Sequence, residues 1–310
     1  LTLKPVEQMK YELASIMGNG GLPSGGDQIQ IDGTLEPEAY DFYRESFSFV
    51  EEREEFCIGA ESVPYIAILV PNETTDSTAE LTGAHKALVE KHLQHDLIDE
   101  YAVPNLSKYS IVVVPDIPRL QDSTLTALER FVKDGGRLLA TGRAELSDLD
   151  QFPLGNVLGV EYIGPAPYKL SHFQLSEDLT GPWLTKPLQV RGPSYKVKPI
   201  TAKTLARLRY PATSYAPPTR AFRSPWSPAG LDSGFPAITM NEYGKGRAAY
   251  IAAPIFEILW NTNHAWLKDI VGNTLRILDS ESPFLVEGPP TLEANLMRKS
   301  GELLLHLMNF

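Results

Sequence analysis

Apolar residues in the first 60 positions recur at intervals of three and four, which is the spacing of amphipathic helices. A first helix is predicted over residues 5–17, and a second begins at Pro37, a residue suited to the first turn of a helix. The two apolar stripes comprise Val6, Met9, Leu13 and Ile16, and Tyr40, Tyr43, Phe47 and Val50. The glycine-rich stretch between the helices contains a short alternating run, 27–31, which predicts a strand.

From Pro64 onward, the pattern changes to an alternation of apolar runs with amphipathic stretches. Continuous apolar runs of this length are typical of strands buried on both faces of a parallel sheet. The predicted strands are YIAILVP (65–71), DLID (96–99), SIVVVPD (110–116) and RLLAT (137–141), with helices over 77–93 and 122–134. This order predicts an α/β domain with right-handed crossovers and helices on both sheet faces.

The second half of the chain has less regular patterning. Residues 143–235 are rich in proline and predict only short strands such as VEYIG and PLQV. A hairpin is expected over 236–254, with its turn at 243–246, and a helix over 263–278. The alternating residues 283–310 predict the start of a separate all-β module.

Composition narrows the possible partners. A net charge of −11 disfavours nucleic acid, and no apolar run reaches the length of a membrane span. The single cysteine, Cys57, excludes an internal disulfide framework and a CxxC site, and no metal or organic cofactor is expected. The chain starts at Leu1 and stops in a strand-like run, so a piece of a longer polypeptide is expected. No targeting segment identifies a compartment, and the cytoplasm is favoured.

GGRLLATGRAEL (135–146) has the pattern of a nucleophile elbow, in which a turn after a strand presents a catalytic Ser or Cys. Its turn reads Ala140-Thr141-Gly142-Arg143, so neither nucleophile is present at the apex. The three histidines of the predicted helix region, His85, His92 and His95, are interpreted as a solvated face rather than a metal site.

The run YSIVVVPDIPRLQDSTLTALERFVKDGGRLLATG resembles the trimerisation domain of family 42 glycoside hydrolases, the β-galactosidase group. GKGRAAYIAAPIFEILW and HAWLKDIVGNTLRIL resemble the closing hairpin and helix of that domain. The N-terminal GDQIQIDGTLEPEAYDFYRESFSFVEERE resembles the last strand and helix of a (β/α)8 barrel of the α-L-fucosidase-like kind, and LLLHLMNF the start of a small β-sandwich.

The resemblance implies three regions: the end of a TIM barrel (1–60), a flavodoxin-like sheet domain related to class I glutamine amidotransferases (61–281), and the start of a β domain (282–310). Gly142 stands where those amidotransferases carry their catalytic Cys, which argues against amidotransferase activity. The implied function is part of a glycoside hydrolase that acts on a terminal β-galactoside or α-L-fucoside and assembles as a homo-oligomer, with a trimer favoured. The alternatives are a non-catalytic carbohydrate-binding or assembly module, and an enzyme that uses another pocket of the sheet.

The two catalytic carboxylates that glycosidases use would lie before Leu1, so no catalytic residue is assigned in this chain. Asp27 and Gln28 would lie at a barrel strand end and hold sugar hydroxyls, or Asp27 would cap its own turn. Residues suited to the rim of a site or to an interface are Arg223, Trp226, Trp260 and His264. Packing within the chain is the alternative role for these four.

Overall fold

The computed structural model describes residues 4–72, 78–116, 120–143, 152–180, 186–212 and 227–309. The chain divides into two compact units. The first comprises Leu1–Val63, His92–Gln94 and Pro283–Phe310, and the second comprises Pro64–Lys91 and His95–Ser282.

The described residues form the helices α1 (Val6–Gly18), α2 (Pro37–Glu51), α3 (Glu54–Cys57), α4 (Thr78–Glu90), α5 (Asp122–Lys133), α6 (Gly155–Leu158), α7 (Glu177–Thr180), α8 (Ile255–Thr262) and α9 (Ala265–Leu278), together with a 3-10 segment, Glu100–Lys108. The strands are β1 (Glu61–Ser62), β2 (Ile66–Val70), β3 (His95–Asp99), β4 (Ile111–Val114), β5 (Arg137–Thr141), β6 (Val160–Pro165), β7 (Ser171–Leu175), β8 (Leu188–Val190), β9 (Tyr195–Pro199), β10 (Lys203–Pro211), β11 (Ala229–Tyr243), β12 (Gly246–Ile251), β13 (Leu292–Lys299) and β14 (Glu302–Asn309).

The second unit is built around a nine-stranded sheet with the order β3-β2-β4-β5-β12-β11-β10-β7-β8. Pairing is parallel from β3 to β12 and antiparallel from β12 to β8. The central strands follow the predicted apolar runs because both of their faces are covered: every residue of β4 is fully buried. The predicted hairpin is also confirmed, with Tyr243 opposite Gly246.

Helices cover both faces of the parallel strands. On one face, α5 and the 3-10 segment pack on alternate strand residues, among them Val112, Val114, Leu138 and Ala140. The helices α4, α8 and α9 pack against one another, and α4 and α9 also pack against strands of the same sheet. Because successive strand residues point to opposite faces, these three helices bury the intervening residues such as Val113 and Leu139.

Helices α4 and α8 approach each other closely at Gly83. A side-chain Cβ added to Gly83 would lie only 2.0 Å from the backbone oxygen of Phe256 at the start of α8. A glycine is therefore required for the two helix backbones to reach this separation.

The first unit combines α1 and α2, packed through Leu13, Met17 and Val50, with the three-stranded sheet β1-β13-β14. The Gln94 carboxamide lies beside β13 and forms the pair of hydrogen bonds that the backbone of a neighbouring strand would form. Its Nε2 donates to the oxygen of Leu296 at 2.7 Å, and its Oε1 accepts from the Leu296 amide at 2.6 Å.

Several local predictions are wrong. Residues 27–31 form no strand; the Gln30 amide donates instead to the Thr34 oxygen at 2.9 Å, because a lone strand has no neighbour to satisfy its backbone groups. The predicted helix 77–93 ends at Glu90, so the three histidines do not share a helix. The sequence patterns also missed α8 and the first residues of β11, which begins at Ala229.

Within the described residues, no helix combines the length and apolar content that crossing a membrane requires.

We predict that Gly83→Ala destabilises the chain although alanine is the better helix former. The added methyl group would meet backbone rather than a movable side chain, so we expect a loss of about 1–3 kcal/mol in the free energy of unfolding. Urea denaturation measures this change. Gly26→Ala is the matched control, because a Cβ there meets nothing within 4 Å. Equal effects of the two substitutions would contradict the close approach of α4 and α8.

Candidate functional site

The carboxyl ends of the parallel strands bring charged residues together at one edge of the sheet. Asp116 follows β4, and Gly142 and Arg143 follow β5. Glu80 lies in the first turn of α4, and Glu257 in the first turn of α8. In open α/β sheets this edge is where ligands bind, so its geometry decides what the domain can do.

Glu80 is 4% exposed and uses both of its carboxylate oxygens on backbone groups. Its Oε1 accepts from the amide of Glu257 at 3.0 Å, and its Oε2 accepts from the amide of Asp116 at 3.1 Å. One side chain therefore joins the end of β4 to the positive end of helix α8. Burial raises the pKa of Glu80 to about 8, against the two amide hydrogen bonds, which lower it.

Glu100 has the same role one strand away. This carboxylate, 8% exposed, accepts from the Asn72 amide at 3.3 Å, just beyond β2. It also accepts from the Gln121 amide at 2.9 Å and the Thr124 hydroxyl at 2.7 Å, where α5 begins. Two buried glutamates thus connect strand ends with helix starts along this edge.

Gly142 adopts the backbone conformation of an elbow, with φ of +65°. This left-handed conformation is strained for every residue that has a side chain. A Cβ at Gly142 would lie 2.4 Å from Cβ, Cγ and Oδ2 of Asp116. The space in which a nucleophilic side chain would begin is therefore filled by the Asp116 carboxylate.

Asp116 and Arg143 form an ion pair across the turn. The Arg143 amide donates to Asp116 Oδ1 at 3.0 Å, and its Nε lies 3.6 Å from the same oxygen. Burial raises the pKa of Asp116 to about 6, while Arg143 opposes this shift. The Asp116 carboxylate in turn raises the pKa of Arg143, so the guanidinium stays charged.

Tyrosines complete the surroundings of this ion pair. The hydroxyl of Tyr250, a fully buried residue, donates to the Gly142 oxygen, and burial raises its pKa well above the ordinary value. Burial also raises the pKa of Tyr195, and the Asp116 charge adds to the shift. Both hydroxyls therefore remain protonated at neutral pH, and that of Tyr250 acts as a hydrogen-bond donor.

The arrangement is suited to holding backbone in place rather than to nucleophilic chemistry. The elbow presents neither Ser nor Cys, and the Thr141 hydroxyl beside it is fully buried without a hydrogen-bond partner among the described residues. A nucleophile needs a neighbouring base within hydrogen-bond distance, and Thr141 has none there. Both oxygens of Glu80 accept hydrogen bonds from backbone amides.

The structure places the predicted sugar contacts in the first unit. Asp27 and Gln28 are both exposed, and the Gln28 amide donates to Asp27 Oδ1 at 2.8 Å. The Tyr43 hydroxyl donates to the Gly26 oxygen at 2.6 Å and holds this turn on α2. The Asp27 carboxylate thus accepts from the amide of the next residue, and both the cap and sugar binding by the two residues stay predictions.

Trp260 lies near the C-terminal end of α8, and His264 lies directly before α9. Trp260 is 49% exposed. His264 is half-buried; burial lowers its pKa, and its Nδ1 has no hydrogen-bond partner among the described residues. Their role at a rim or interface stays a prediction. Arg223 and Trp226 lie outside the described residues.

The histidines of the α4 region separate into two environments. His85 Nδ1 and His95 Nε2 lie 2.9 Å apart, whereas His92, at φ of +56°, contacts the Gly288 oxygen at 3.2 Å in the first unit. In the part of the chain that the structure describes, no three metal-binding side chains come together.

Sequence reasoning missed Glu80, Glu100 and Asp116. Only Asp116 gave a usable signal, because an acidic residue directly after a buried parallel strand must lie at the ligand-binding edge. Glu80 and Glu100 accept from backbone amides. Every residue except proline has such an amide, so the sequence does not identify these partners.

The family model of the β-galactosidase trimerisation domain matches residues 67–279. Among curated proteins, β-galactosidase BgaA of Planococcus sp. (strain 'SOS Orange') is 26% identical over 186 residues, which make up 59% of this chain and 25% of that protein.

Two solved structures share the fold. The α-L-fucosidase isoenzyme 2 from Paenibacillus thiaminolyticus matches with a TM-score of 0.83 and 24% identity over 98% of this chain and 46% of its own. The β-galactosidase from Bacillus circulans sp. alkalophilus matches with a TM-score of 0.64 and 20% identity over 91% of this chain and 40% of its own. The chain thus spans less than half the length of these relatives.

We predict that Gly142→Ala costs more stability than Gly234→Ala. Both glycines have positive φ, of +65° and +80°, but only Gly142 has a neighbour within 4 Å of the added Cβ. The left-handed conformation costs about 1–2 kcal/mol in each case, and the Asp116 clash adds to this at Gly142. Combining Gly142→Ala with Asp116→Gly should recover part of the loss in a double-mutant cycle; purely additive effects would refute the contact.

We also predict that Glu80 makes stability fall as pH rises. Its pKa moves from 4.5 to about 8 on folding, so between these values the folded state holds a proton that the unfolded chain has released. The free energy of unfolding should therefore decrease by up to about 1.4 kcal/mol per pH unit from this group. Urea denaturation of Glu80→Gln from pH 5 to 8 should give a shallower slope than the parent chain.

Glu161→Gln is the control for this titration, because it removes a carboxylate from an exposed residue that makes no hydrogen bond with Glu80. An unchanged slope in Glu80→Gln would contradict the proton uptake assigned to Glu80.

Proposed function

The chain belongs to the family of the β-galactosidase trimerisation domain, and from this premise we propose that it is the assembly portion of a glycoside hydrolase. The observation that carries the proposal is the family match, which extends from β2 to the residue after α9. The second unit covers this range except for His92–Gln94 and contains the whole nine-stranded sheet. This membership supports the proposal that the chain assembles into a homo-oligomer, with a trimer favoured.

The carboxyl edge of the sheet supports a structural role for this unit. The five parallel strands lie in the sheet in the order β3-β2-β4-β5-β12. Numbered by their position along the chain, this order is 2-1-3-4-5, which agrees with the proposed flavodoxin-like architecture. At the elbow, Gly142 leaves no nucleophile, and Asp116 occupies the space in front of it. The chemistry of an amidotransferase would require a thiolate there.

The first unit is proposed to complete a (β/α)8 barrel that lies mainly outside this chain. Its glycine-rich segment exposes large apolar side chains to solvent: Leu22, Ile29, Ile31 and Leu35. Four exposed large apolar side chains within one short segment are expected to be covered by further protein. Asp27 and Gln28 lie in the same segment and would hold sugar hydroxyls at the barrel rim.

The proposed substrate of the complete enzyme is a terminal β-galactoside or α-L-fucoside. This choice rests on relatives that are a β-galactosidase and an α-L-fucosidase. Hydrolysis would use two carboxylates of the preceding barrel. Turnover of nitrophenyl galactoside and nitrophenyl fucoside by the complete polypeptide separates the two sugars.

We predict that this chain sediments as a trimer in analytical ultracentrifugation and hydrolyses neither nitrophenyl glycoside by itself. Trp260→Ala is expected to shift the equilibrium towards the monomer if this exposed side chain anchors the interface. Tyr101→Ala is the matched control, because Tyr101 is an aromatic residue that is 80% exposed on another element.

A strictly monomeric chain would contradict the assembly role. Hydrolysis by the isolated chain that is lost in Trp260→Ala would favour a sheet-based active site instead. A complete polypeptide that binds the sugars without cleaving them would favour a non-catalytic carbohydrate-binding module.

A further inference from the structure

Two histidines of the second unit meet away from the carboxyl edge of the sheet. His85 lies on α4 and is exposed, and His95, the first residue of β3, is half-buried. His85 Nδ1 lies 2.9 Å from His95 Nε2, and the two rings meet edge to face at an angle of 65°. Because this contact is open to solvent, a dissolved ion has access to the two facing nitrogens.

Both histidines belong to elements that are held firmly in the second unit. On α4, the neighbours of His85 that face the sheet, among them Ala84 and Leu88, are fully buried. β3 is the edge strand, and His95 is paired there with Ile66 of β2, which is also fully buried. Two ring nitrogens on packed elements lose little freedom when they bind one ion together.

The separation of the two nitrogens matches one coordination geometry. Bonds from first-row metals to imidazole nitrogen are about 2.0–2.1 Å long. Two ligands at right angles on one metal are then about 2.8–3.0 Å apart, whereas ligands at a tetrahedral angle are about 3.3–3.4 Å apart. The observed 2.9 Å falls in the first range. Right angles are typical of square-planar and tetragonal Cu²⁺ and Ni²⁺, and Cu²⁺ binds more tightly.

Both facing nitrogens can become ligands without loss of a proton from the pair. A neutral imidazole carries one proton, on either of its ring nitrogens. In the hydrogen-bonded pair, one of the facing nitrogens holds this proton. When a metal binds, that proton moves to the other nitrogen of the same ring, and both facing nitrogens donate their lone pairs to the metal. The pair therefore exchanges one hydrogen bond for two coordinate bonds.

The protein supplies two ligands at this place. Asp96, which follows His95 on β3, points to the opposite face of the sheet because strand residues alternate. Its Oδ2 accepts from the hydroxyl of Tyr109, a core residue on the α5 side, at 2.8 Å. Among the described residues, no third metal-binding side chain joins the two imidazoles. Water would complete the coordination, so the bound ion is exchangeable.

We infer that His85 and His95 form a binding site for a divalent transition metal with planar coordination, Cu²⁺ before all others. The ion joins α4 to the edge strand β3 and keeps water in its remaining positions. The site is independent of the proposed function, because neither histidine lies at the carboxyl edge of the sheet.

The test is electron paramagnetic resonance of the chain with Cu²⁺, after a chelator has removed other metals and without an affinity tag. Electron spin-echo envelope modulation counts the imidazoles bound to the ion, and two are expected. His85→Asn and His95→Asn should each leave one. Each should also weaken Cu²⁺ binding in isothermal titration by about tenfold or more, since even the indirect partners of metal ligands contribute about 10–100-fold.

His264→Asn is the matched control, because it removes another half-buried histidine of the same unit. Both bound imidazoles should be retained in this variant. His85 is exposed, so His85→Asn should unfold at the same urea concentration as the parent chain when no metal is present. An excess of Mg²⁺, which prefers oxygen ligands, should not displace Cu²⁺.

The inference is overturned if the parent chain shows fewer than two bound imidazoles, or if His85→Asn still shows two. Equal affinities of the parent chain and both variants would place the ion elsewhere, for instance at Cys57 or the amino terminus, and would overturn it as well. Displacement of Cu²⁺ by an equal concentration of Zn²⁺ would overturn the planar geometry.

Discussion

Backbone amides at the places where parallel strands end and helices begin must find acceptors, and this requirement organises the second unit. Glu80 accepts from the amides of Asp116 and Glu257, and Glu100 from those of Asn72 and Gln121. An unsatisfied buried amide costs about 1–3 kcal/mol, so removing either carboxylate would cost more than a single contact. The two glutamates therefore keep strand ends and helix starts together.

These hydrogen bonds also explain how the elbow-like turn at Gly142 is held in place although it carries no nucleophile. The turn at Gly142 retains positive φ, and Tyr250 donates to its backbone oxygen. Asp116, held by Glu80 through its amide, places its carboxylate directly against Gly142. The same contacts that stabilise the edge fill the space that a nucleophile would need, which fits a domain proposed to serve assembly.

The parts of the fold that depend on local apolar pattern were predictable from sequence, whereas those that depend on long-range partners were not. The runs at β2, β4 and β5 are buried on both faces, so their composition alone identified them. The end of α4 was missed because His92 turns into a left-handed conformation that its side chain does not reveal. Likewise, the Gln94 side chain satisfies the backbone of Leu296, which lies 202 positions away. A local sequence pattern cannot reveal a partner at that distance.

The candidate site shows the same division. The absence of a nucleophile at Gly142 was evident from the sequence, whereas the carboxylates around it act through backbone amides and were not. Sugar binding by Asp27 and Gln28 stays a prediction that depends on the proposed barrel.

Amide hydrogen exchange tests the central claim most directly. If Glu80 holds this edge together, the amides of Asp116 and Glu257 exchange slowly in the parent chain and rapidly in Glu80→Ala, while the Gln121 amide, which donates to Glu100, is unchanged. Rapid exchange of Asp116 and Glu257 in the parent chain, or equal protection in the variant, would contradict the account.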